Sequence, residues 1–456
     1  MHVEMRIRTI RAFCLYLDVP SSVPRYHGRR GVRPMSCRVV REDWRRVLKL
    51  TPVEVAVEKL LKAIDLKPRI EDVEVVNSLG RVLAEDVAAN QDIPPYDCAC
   101  FEGYAIRSRD TRGATRSNPV KLKVLGKVLP DTKELPVVRE GHAVLLVTGA
   151  PMPPGADAIV RVEEVKLEGD HIIVFREVRE LENVALKGED VKAGELILRA
   201  GHVIRPVDVG LLMELGYSKI KVYAKAKFAI FSVGKELYLK SLERRDPPPN
   251  NYAYVIKGLI EELGGSADVL GILPDDVGVV KESLLKAIDE YDVVITMGSC
   301  SIGINDVVPD AISELGVPAM VHGLTLSPGK PAGFTVFRGK PIIMLPGHIV
   351  SAVAAFYVLC LPLLAHMTGR PIDKVLPYVY AKLAVDEEAL RAYRFLRVMV
   401  EEVDGELVAK PMHGGANVIS TLLRSNYFTI LPPNTTVKKG EKLKFTALGP
   451  SSMMPQ

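Results

Sequence analysis

Residues 292–306 read DVVITMGSCSIGIND, a β-branched apolar run that ends at a glycine and continues into small and polar residues. Three other runs share this pattern, KFAIFSVG (227–234), ADVLGIL (267–273) and PIIMLPG (341–347). The stretches between them, 252–264, 278–290 and 307–316, have helical character. This alternation predicts a doubly wound α/β domain over residues 223–374, with a parallel sheet between two layers of helices.

The loops that follow these strands carry polar residues, and the carboxyl ends of parallel strands meet at one edge of a sheet. Backbone N–H groups of Gly and Ser loops and of helix N-termini bind anions, and carboxylates bind hard divalent cations. We therefore predict a crevice for a phosphate-bearing ligand and a cation. A fifth apolar run, MVHGLTL (320–326), comes directly before one of these loops, 327–331. The loops and their candidate residues are 234–237 with Glu236, 274–276 with Asp276, 298–306 with Gly298, Ser299, Ser301, Gly303 and Asp306, 327–331 with Ser327, Gly329 and Lys330, and 345–351 with Pro346, Gly347 and Ser351.

Plainer roles stay open for each of these residues taken alone. A loop aspartate is commonly a helix cap or turn residue, a lone lysine is commonly solvated, and His348 beside a helix start is commonly a cap or packing residue. The chain has no G-x-x-x-x-G-K-[ST] motif and no G-x-G-x-x-G after a strand, which gives no support to ordinary P-loop or Rossmann nucleotide binding.

The rest of the chain has a different pattern. TPVE (51–54) predicts a helix with Thr51 as N-cap and a capping box to Glu54, followed by apolar positions at helical spacing. Residues 119–183 alternate like β-strands, 188–216 is a turn-rich connector that ends in a short helix, and 375–456 contains short strands typical of a small β-domain. A chain of 456 residues is long enough for about three domains.

Composition limits the class of protein. Residues 1–49 contain twelve Lys and Arg against four Asp and Glu, a balance of +8. This extension is predicted to be disordered, with binding to nucleic acid or an acidic partner as the alternative. The six cysteines make no disulfide framework, and the histidines have no zinc-ligand spacing with them. Residues 351–367 predict a buried helix rather than a membrane span, and no secretory leader pattern is present, so we predict a cytoplasmic protein.

Several stretches occur in a characteristic order: GRVLAEDVAANQDIPPYD (80–97) with GYAIR (103–107), VTGAPMPPGADAIVRVEE (147–164), KGEDVKAGELIL (187–198), FSVGKEL (231–237), ILPDD (272–276), SCSIGIND (299–306), SPGKPAGF (327–334), LPGHIVSA (345–352), GGANVIS (414–420) and NYFTILPPNTTVKKGE (426–441). Together they resemble the molybdopterin molybdenumtransferase family, whose animal relative is the C-terminal part of gephyrin. The resemblance covers roughly residues 50–448.

The resemblance implies a function and an architecture. Members insert molybdate, or tungstate, into adenylylated molybdopterin with the help of Mg²⁺ and release AMP. It also implies a homodimer whose active cleft lies between subunits. The implied domains are a linker domain (50–90 and 184–222, although the 50–69 helix can pack on the α/β domain), a β-rich domain (91–183), the molybdopterin-binding α/β domain (223–374) and a C-terminal β-domain (375–456).

The resemblance also assigns site residues. By motif, Glu102, Thr148 and Asp190 belong to the active cleft, and Glu236, Asp276 and Asp306 coincide with the acids proposed above for the cation. Lys330 and Ser327 are expected at the oxyanion, with Arg397 of the C-terminal domain as a further contact. Glu102 occupies the place of an aspartate in the family pattern and is expected to reach the partner subunit's crevice.

This sequence departs from the family pattern at several positions. Lys235 stands where the family has an acid, Ser299 where it has glycine, and Ser327 where it has a basic residue; His348 and Ile349 replace Asn and Pro. These changes keep open a second hypothesis, a non-catalytic molybdopterin-binding or scaffolding paralogue. Cys98 and Cys100 have no partner histidines or second cysteine pair, so they are not expected to bind zinc, and Gly103 is expected to permit a tight turn.

Overall fold

The computed structural model describes residues 48–243, 251–301, 303, 306–370, 372 and 375–450. Nearly all of the basic extension 1–49 lies outside the described residues, so its predicted disorder and its alternative binding role stay predictions. The helices of the described segments are α1 (Val53–Ala63), α2 (Pro206–Glu214), α3 (Lys235–Leu242), α4 (Asn251–Glu262), α5 (Val277–Glu290), α6 (Val308–Ser313), α7 (Ile349–Met367) and α8 (Ser420–Leu423), with short 3-10 turns at Val75–Asn77, Ser108–Thr111 and Val162–Glu164.

The strands of the same segments are β1 (Ile70–Glu74), β2 (Val87–Ala88), β3 (Cys98–Ala99), β4 (Gly103–Ile106), β5 (Val120–Val128), β6 (His142–Leu146), β7 (Ala158–Arg161), β8 (Val165–Glu168), β9 (His171–Val174), β10 (Val184–Ala185), β11 (Leu196–Leu198), β12 (Lys219–Tyr223), β13 (Lys227–Val233), β14 (Ser266–Leu273), β15 (Val293–Met297), β16 (Met320–His322), β17 (Leu326–Ser327), β18 (Gly333–Phe337), β19 (Lys340–Leu345), β20 (Tyr378–Leu383), β21 (Glu387–Ala389), β22 (Tyr393–Val403), β23 (Glu406–Pro411), β24 (Tyr427–Leu431), β25 (Thr435–Val437) and β26 (Lys442–Ala447).

The predicted α/β domain is built on a six-stranded sheet of order β14-β13-β15-β19-β18-β16. The strands predicted from the sequence, β14, β13, β15 and β19, are parallel, which confirms that prediction. The last two strands, β18 and β16, are antiparallel, and β18 was not predicted. The predicted strand MVHGLTL (320–326) divides into β16, which joins this sheet, and the start of β17, which pairs with the C-terminal domain instead. Alternate side chains of β13 enter two cores: Phe228 and Ile230 pack with α1, α4 and α7, and Phe231 packs with α5 and α6.

Helix α7 is the centre of the larger core. By length and composition it could cross a membrane, yet every one of its residues is buried within the protein. This confirms the predicted buried helix. It packs on α1, α4 and β19.

Helix α1 begins at Val53, and no side chain caps it, so the predicted capping box of Thr51 and Glu54 is wrong. The backbone of Thr51 instead forms a bridge beside Leu324: its N–H donates to Gly323 O at 3.0 Å, and its carbonyl accepts from Thr325 N at 2.9 Å. These tertiary bonds hold Thr51 away from the capping geometry. The predicted apolar face of α1 is buried in the core of the α/β domain.

The N-terminal half contains two further units. The β-rich unit is a six-stranded sheet of order β7-β4-β6-β5-β9-β8. The second unit pairs β1 with β12 and β2 with β11, and α2 packs in its small core. Together with the α/β and C-terminal sheets, these units confirm the predicted fold class.

The C-terminal unit is a small barrel. Its strands follow the order β22-β23-β20-β26-β24, and pairing of β24 with β22 closes the ring. Strand β17 of the α/β domain adds to β22 in parallel, so the barrel is hydrogen-bonded to the base of the SPGKP loop.

Candidate functional site

The loops after β15 and β19 lie against each other and against the end of β13. Gly298 N donates to Leu345 O at 2.9 Å. Gly298 has φ of 92°, and a Cβ there would lie 2.5 Å from Val233 O, so the close approach of the strands requires glycine. A Cβ at Gly347 would lie 3.5 Å from the Cα of Gly298. The predicted convergence at one sheet edge is confirmed for the loops after β13, β15 and β19. The SPGKP loop differs from the prediction, because it follows β17, which pairs with β22 of the barrel and not with the α/β sheet.

Asp275 joins three of the loops. Its Oδ2 accepts a 2.9 Å hydrogen bond from Lys235 N after β13, and its Oδ1 accepts a hydrogen bond from Ser299 Oγ after β15. The predicted cation ligand is its neighbour Asp276, whose Oδ1 accepts a 2.8 Å hydrogen bond from Val279 N as the N-cap of α5. The pair of aspartates after a strand was visible in the sequence, but which one would cap the helix was not.

The other two proposed cation ligands also have partners. Glu236 is exposed, and Lys240 lies 2.6 Å from its carboxylate and lowers its pKa. Asp306 accepts a hydrogen bond from Gly303 N. Within the described residues, no three His, Cys, Asp or Glu side chains are grouped so as to hold a metal ion. The cation site therefore stays a prediction.

The SPGKP loop presents its polar groups to solvent. Ser327 and Lys330 are exposed, and the Lys330 side chain has no hydrogen bond or ion pair within the described segments. The backbone carbonyl of Lys330 accepts a 2.9 Å hydrogen bond from Leu324 N, and this bond fixes the backbone of the loop. Gly329, with φ of 128°, lies close to the first turn of α7, where Ser351 is buried, as is Pro346 before it.

The C-terminal barrel reaches the same helix end. Arg397, only 5% exposed, donates from Nη2 to Met412 O at 3.1 Å and more weakly to Gly414 O at 3.4 Å. Burial, and to a smaller extent Arg394, lowers the pKa of Arg397. Further along this loop, Ala416 O accepts from Val350 N in the first turn of α7 at 3.0 Å. Arg397 thus binds the loop that covers α7, while its proposed contact with an oxyanion stays a prediction.

A second set of predicted residues meets in the β-rich unit. The segment 93–100 is hydrogen-bonded on one side to the TGAP stretch, through Ala99 and Ala150 at 3.0 Å. On the other side it is bonded to the KGED stretch, where Asp190 N donates to Ile93 O at 3.0 Å. Glu102, Thr148 and Asp190 are all exposed. The structure therefore brings the three motifs that carry them into contact through their backbones.

The structure bears on two predictions about the segment 93–107, one for Gly103 and one for the two cysteines. Gly103 does not form a tight turn: it begins β4, and a Cβ would lie 2.5 Å from Val160 O of β7, so glycine allows close strand pairing. Cys98 is buried and Cys100 is exposed, and burial raises the pKa of both thiols, which opposes the thiolate form that metals and redox partners need.

The doubly wound domain, the loops at its sheet edge and the barrel joined to the SPGKP loop define a multidomain α/β protein whose candidate site lies at that edge. The family model for the MoeA N-terminal region (domain I and II) matches residues 51–216, that for a probable molybdopterin binding domain matches 229–366, and that for the MoeA C-terminal region (domain IV) matches 381–448.

Individual relatives agree with these models. A Methanocaldococcus jannaschii protein assigned to molybdopterin biosynthesis is 32% identical over 85% of this chain and 94% of its own length. The molybdopterin molybdenumtransferase of Staphylococcus aureus (strain COL) is 28% identical over 84% of this chain and 91% of its own. A crystal structure of the molybdopterin biosynthesis MoeA protein of Pyrococcus horikoshii aligns with a TM-score of 0.70 at 34% identity, covering 88% of this chain and 100% of that one.

The chain belongs to the MoeA family of molybdopterin molybdenumtransferases, transferases of molybdenum cofactor biosynthesis, and the predicted resemblance is confirmed.

Proposed function

We propose that this protein inserts molybdate, or tungstate, into adenylylated molybdopterin with Mg²⁺ and releases AMP. We further propose that it works in the cytoplasm as a homodimer, with the active cleft between subunits. The observation that supports the reaction most directly is the crevice: loops after four adjacent elements meet there, cross-linked by Asp275, and Lys330 offers an unpaired cation within the described segments beside them.

The crevice supplies groups of the kind that an adenylylated ligand needs. In this proposal the loop at 299–303 and the turn at 346–351 hold the phosphate and the pterin through backbone N–H groups, and Gly298 and Gly347 let the two loops lie against each other. Because Ala416 already accepts the N–H of Val350, a ligand at this helix end would lie beside the C-terminal loop. Lys330 and Ser327 would receive the oxyanion at the base of the same loop.

The donor set is chemically suited to Mg²⁺, which commonly takes one or two protein carboxylates together with substrate phosphates and keeps several waters. The candidates for these one or two carboxylates are Glu236, Asp306 and the oxygen of Asp276 that does not cap α5, since the described residues contain no group of three side chains that could hold a metal ion. Lys240 forms only an exposed i,i+4 pair with Glu236, and exposed pairs of this kind contribute little to stability, so a cation can displace the lysine. When bound, Mg²⁺ would offset charge on the phosphoanhydride oxygens.

The exposed acids of the β-rich unit fit the dimer part of the proposal. Glu102 and Asp190 have no hydrogen bond or ion pair on their carboxylates within the described residues, and Thr148 lies on an adjoining loop. In the proposed dimer these groups complete the partner subunit's crevice, where a carboxylate positions water or substrate. Arg397 keeps the C-terminal loop in place and is the proposed further contact to the oxyanion.

The test supplies adenylylated molybdopterin, Mg²⁺ and molybdate or tungstate to the full chain and measures AMP release. Asp306→Asn keeps the size of the side chain and is expected to reduce turnover about 10²-fold, as expected for loss of a charge that stabilises the transition state. Lys235→Ala is the matched control, since only its backbone N bonds Asp275, and it should change turnover less than about threefold.

Two outcomes would count against the proposal. Tight pterin binding without metal-dependent AMP release would favour a non-catalytic paralogue. Equal losses in Asp306→Asn and Lys235→Ala would contradict the proposed cation site while leaving the reaction itself intact.

A further inference from the structure

The junction between the SPGKP loop and the C-terminal barrel brings an arginine next to Ser327. Strand β17 pairs with β22 in parallel, with Leu326 opposite Tyr393 and Ser327 opposite Arg394. Tyr393 N donates to Thr325 O at 2.9 Å and fixes this register. Paired residues of neighbouring strands lie on the same face of a sheet, so Arg394 is on the face that carries Ser327.

The guanidinium of Arg394 is held in one orientation. Its Nη2 lies 2.7 Å from Glu387 Oε2, and its Nη1 donates to Glu388 O at 2.7 Å. The Glu387 side chain is only 3% exposed, and its other oxygen lies 3.2 Å from His413 Nε2. The buried carboxylate of Glu387 and the carbonyl of Glu388 together hold the guanidinium at both of its terminal nitrogens.

Arg394 retains binding capacity. A guanidinium has five N–H donors in a fixed fork, and the two partners above use only part of them. The side chain is 31% exposed, which leaves it accessible to a ligand. A tetrahedral oxyanion accepts several such donors at once, and two cations suit a dianion better than one.

Lys330 is the exposed cation nearest to Ser327 along the chain, three residues beyond it, and its side chain has no hydrogen bond or ion pair within the described segments. We propose that Arg394 is a further oxyanion-binding residue, in addition to those proposed above, and that it acts with Lys330 across the junction between the α/β domain and the barrel. The inference rests on the proposed function, because it takes the oxyanion to bind at the SPGKP loop. It assigns the metal-oxide specificity of the crevice partly to the C-terminal domain.

The test compares Arg394→Met with wild type in steady-state AMP release and in equilibrium dialysis of molybdate with the full chain. One lost charge-assisted contact should raise the KM and the Kd for molybdate about tenfold, with the KM for adenylylated molybdopterin unchanged. Ser327→Lys in the Arg394→Met background should recover part of the loss, because it restores a cation one strand away. Lys442→Met removes a positive charge from β26 of the same barrel and should change neither constant.

Arg394→Met leaves Glu387 without its arginine and could unfold the barrel, so Arg394→Lys is the second variant. It keeps the charge but not the fork, and should raise the KM for molybdate about threefold. Unchanged molybdate constants in a folded variant would overturn the proposal, as would equal increases in the KM for molybdate and for the pterin substrate. If wild type binds molybdate in dialysis but releases no AMP, the proposed function fails, while the dialysis comparison still decides the role of Arg394.

Discussion

Replacing Gly298 by alanine tests the central feature of the crevice, the close contact between β13 and the loop after β15. Two costs add. An alanine at φ of 92° is strained by about 1–2 kcal/mol. Its Cβ would also lie 2.5 Å from Val233 O, a backbone atom that can move only with its strand, and overpacking of this kind costs about 1–3 kcal/mol.

The matched control is Gly316→Ala in the same domain. Gly316 also has a left-handed backbone, with φ of 71°, but a Cβ there would meet nothing within 4 Å. This variant should show the backbone strain alone, about 1–2 kcal/mol, against about 2–5 kcal/mol for Gly298→Ala.

Differential scanning calorimetry of the full chain measures both variants. For a domain of this size the expected decrease in Tm is roughly 5–15 °C for Gly298→Ala and about 2–6 °C for Gly316→Ala. AMP release at a temperature below both transitions should also fall in Gly298→Ala, because the displaced strand moves Asp275 and Ser299 apart. Equal decreases in Tm would refute the argument that contact with Val233 O is what requires glycine.

Two further predictions concern carboxylates with defined partners. Hydrogen bonds from Arg205, with a smaller contribution from His202, hold the pKa of Asp208 well below its usual range. The ionised carboxylate therefore contributes its full stabilisation of the fold above about pH 4, and this stabilisation is lost as the pH falls through the folded-state pKa. Asp208→Asn should therefore cost about 1.5–3 kcal/mol at pH 7, with the difference in Tm from wild type shrinking below pH ~4, and a difference independent of pH would contradict this account. Asp276→Ser keeps an N-cap for α5, so it should leave Tm unchanged but raise the Mg²⁺ concentration needed for AMP release about tenfold; an unchanged Mg²⁺ requirement would show that Asp276 is only a cap.

The elements predicted most accurately from the sequence are those in which burial sets the spacing of apolar residues. The parallel strands around β15 and the apolar face of α1 are read directly from apolar spacing, because each must bury one pattern of side chains. The convergence of loops at the sheet edge followed from topology alone. The antiparallel strand β18 was missed because it forms a tight hairpin with β19, so no helix separates the two strands as the predicted alternation requires.

Details that depend on tertiary partners could not be predicted. Thr51 has every local feature of an N-cap, but bonds to Gly323 and Thr325 compete for its backbone. Asp275 and Asp276 are indistinguishable by composition, and only the position of Ser299 decides which one joins the loops. Arg394 had no motif to mark it, since its position depends on the register between β17 and β22.

The barrel and the α/β domain share one hydrophobic core, the one around α7, and this limits how the chain can be divided. Tyr357 of α7 lies 4.4 Å from Phe428 and 6.1 Å from Phe395 between ring centroids, and its hydroxyl donates to Leu448 O. A fragment that ends before residue 375 would expose this aromatic surface to water and leave β17 without its neighbour. The C-terminal unit therefore cannot be exchanged between homologues by itself, because the residues of α7 that pack on it would have to be exchanged too. We expect α7 and the C-terminal unit to co-evolve.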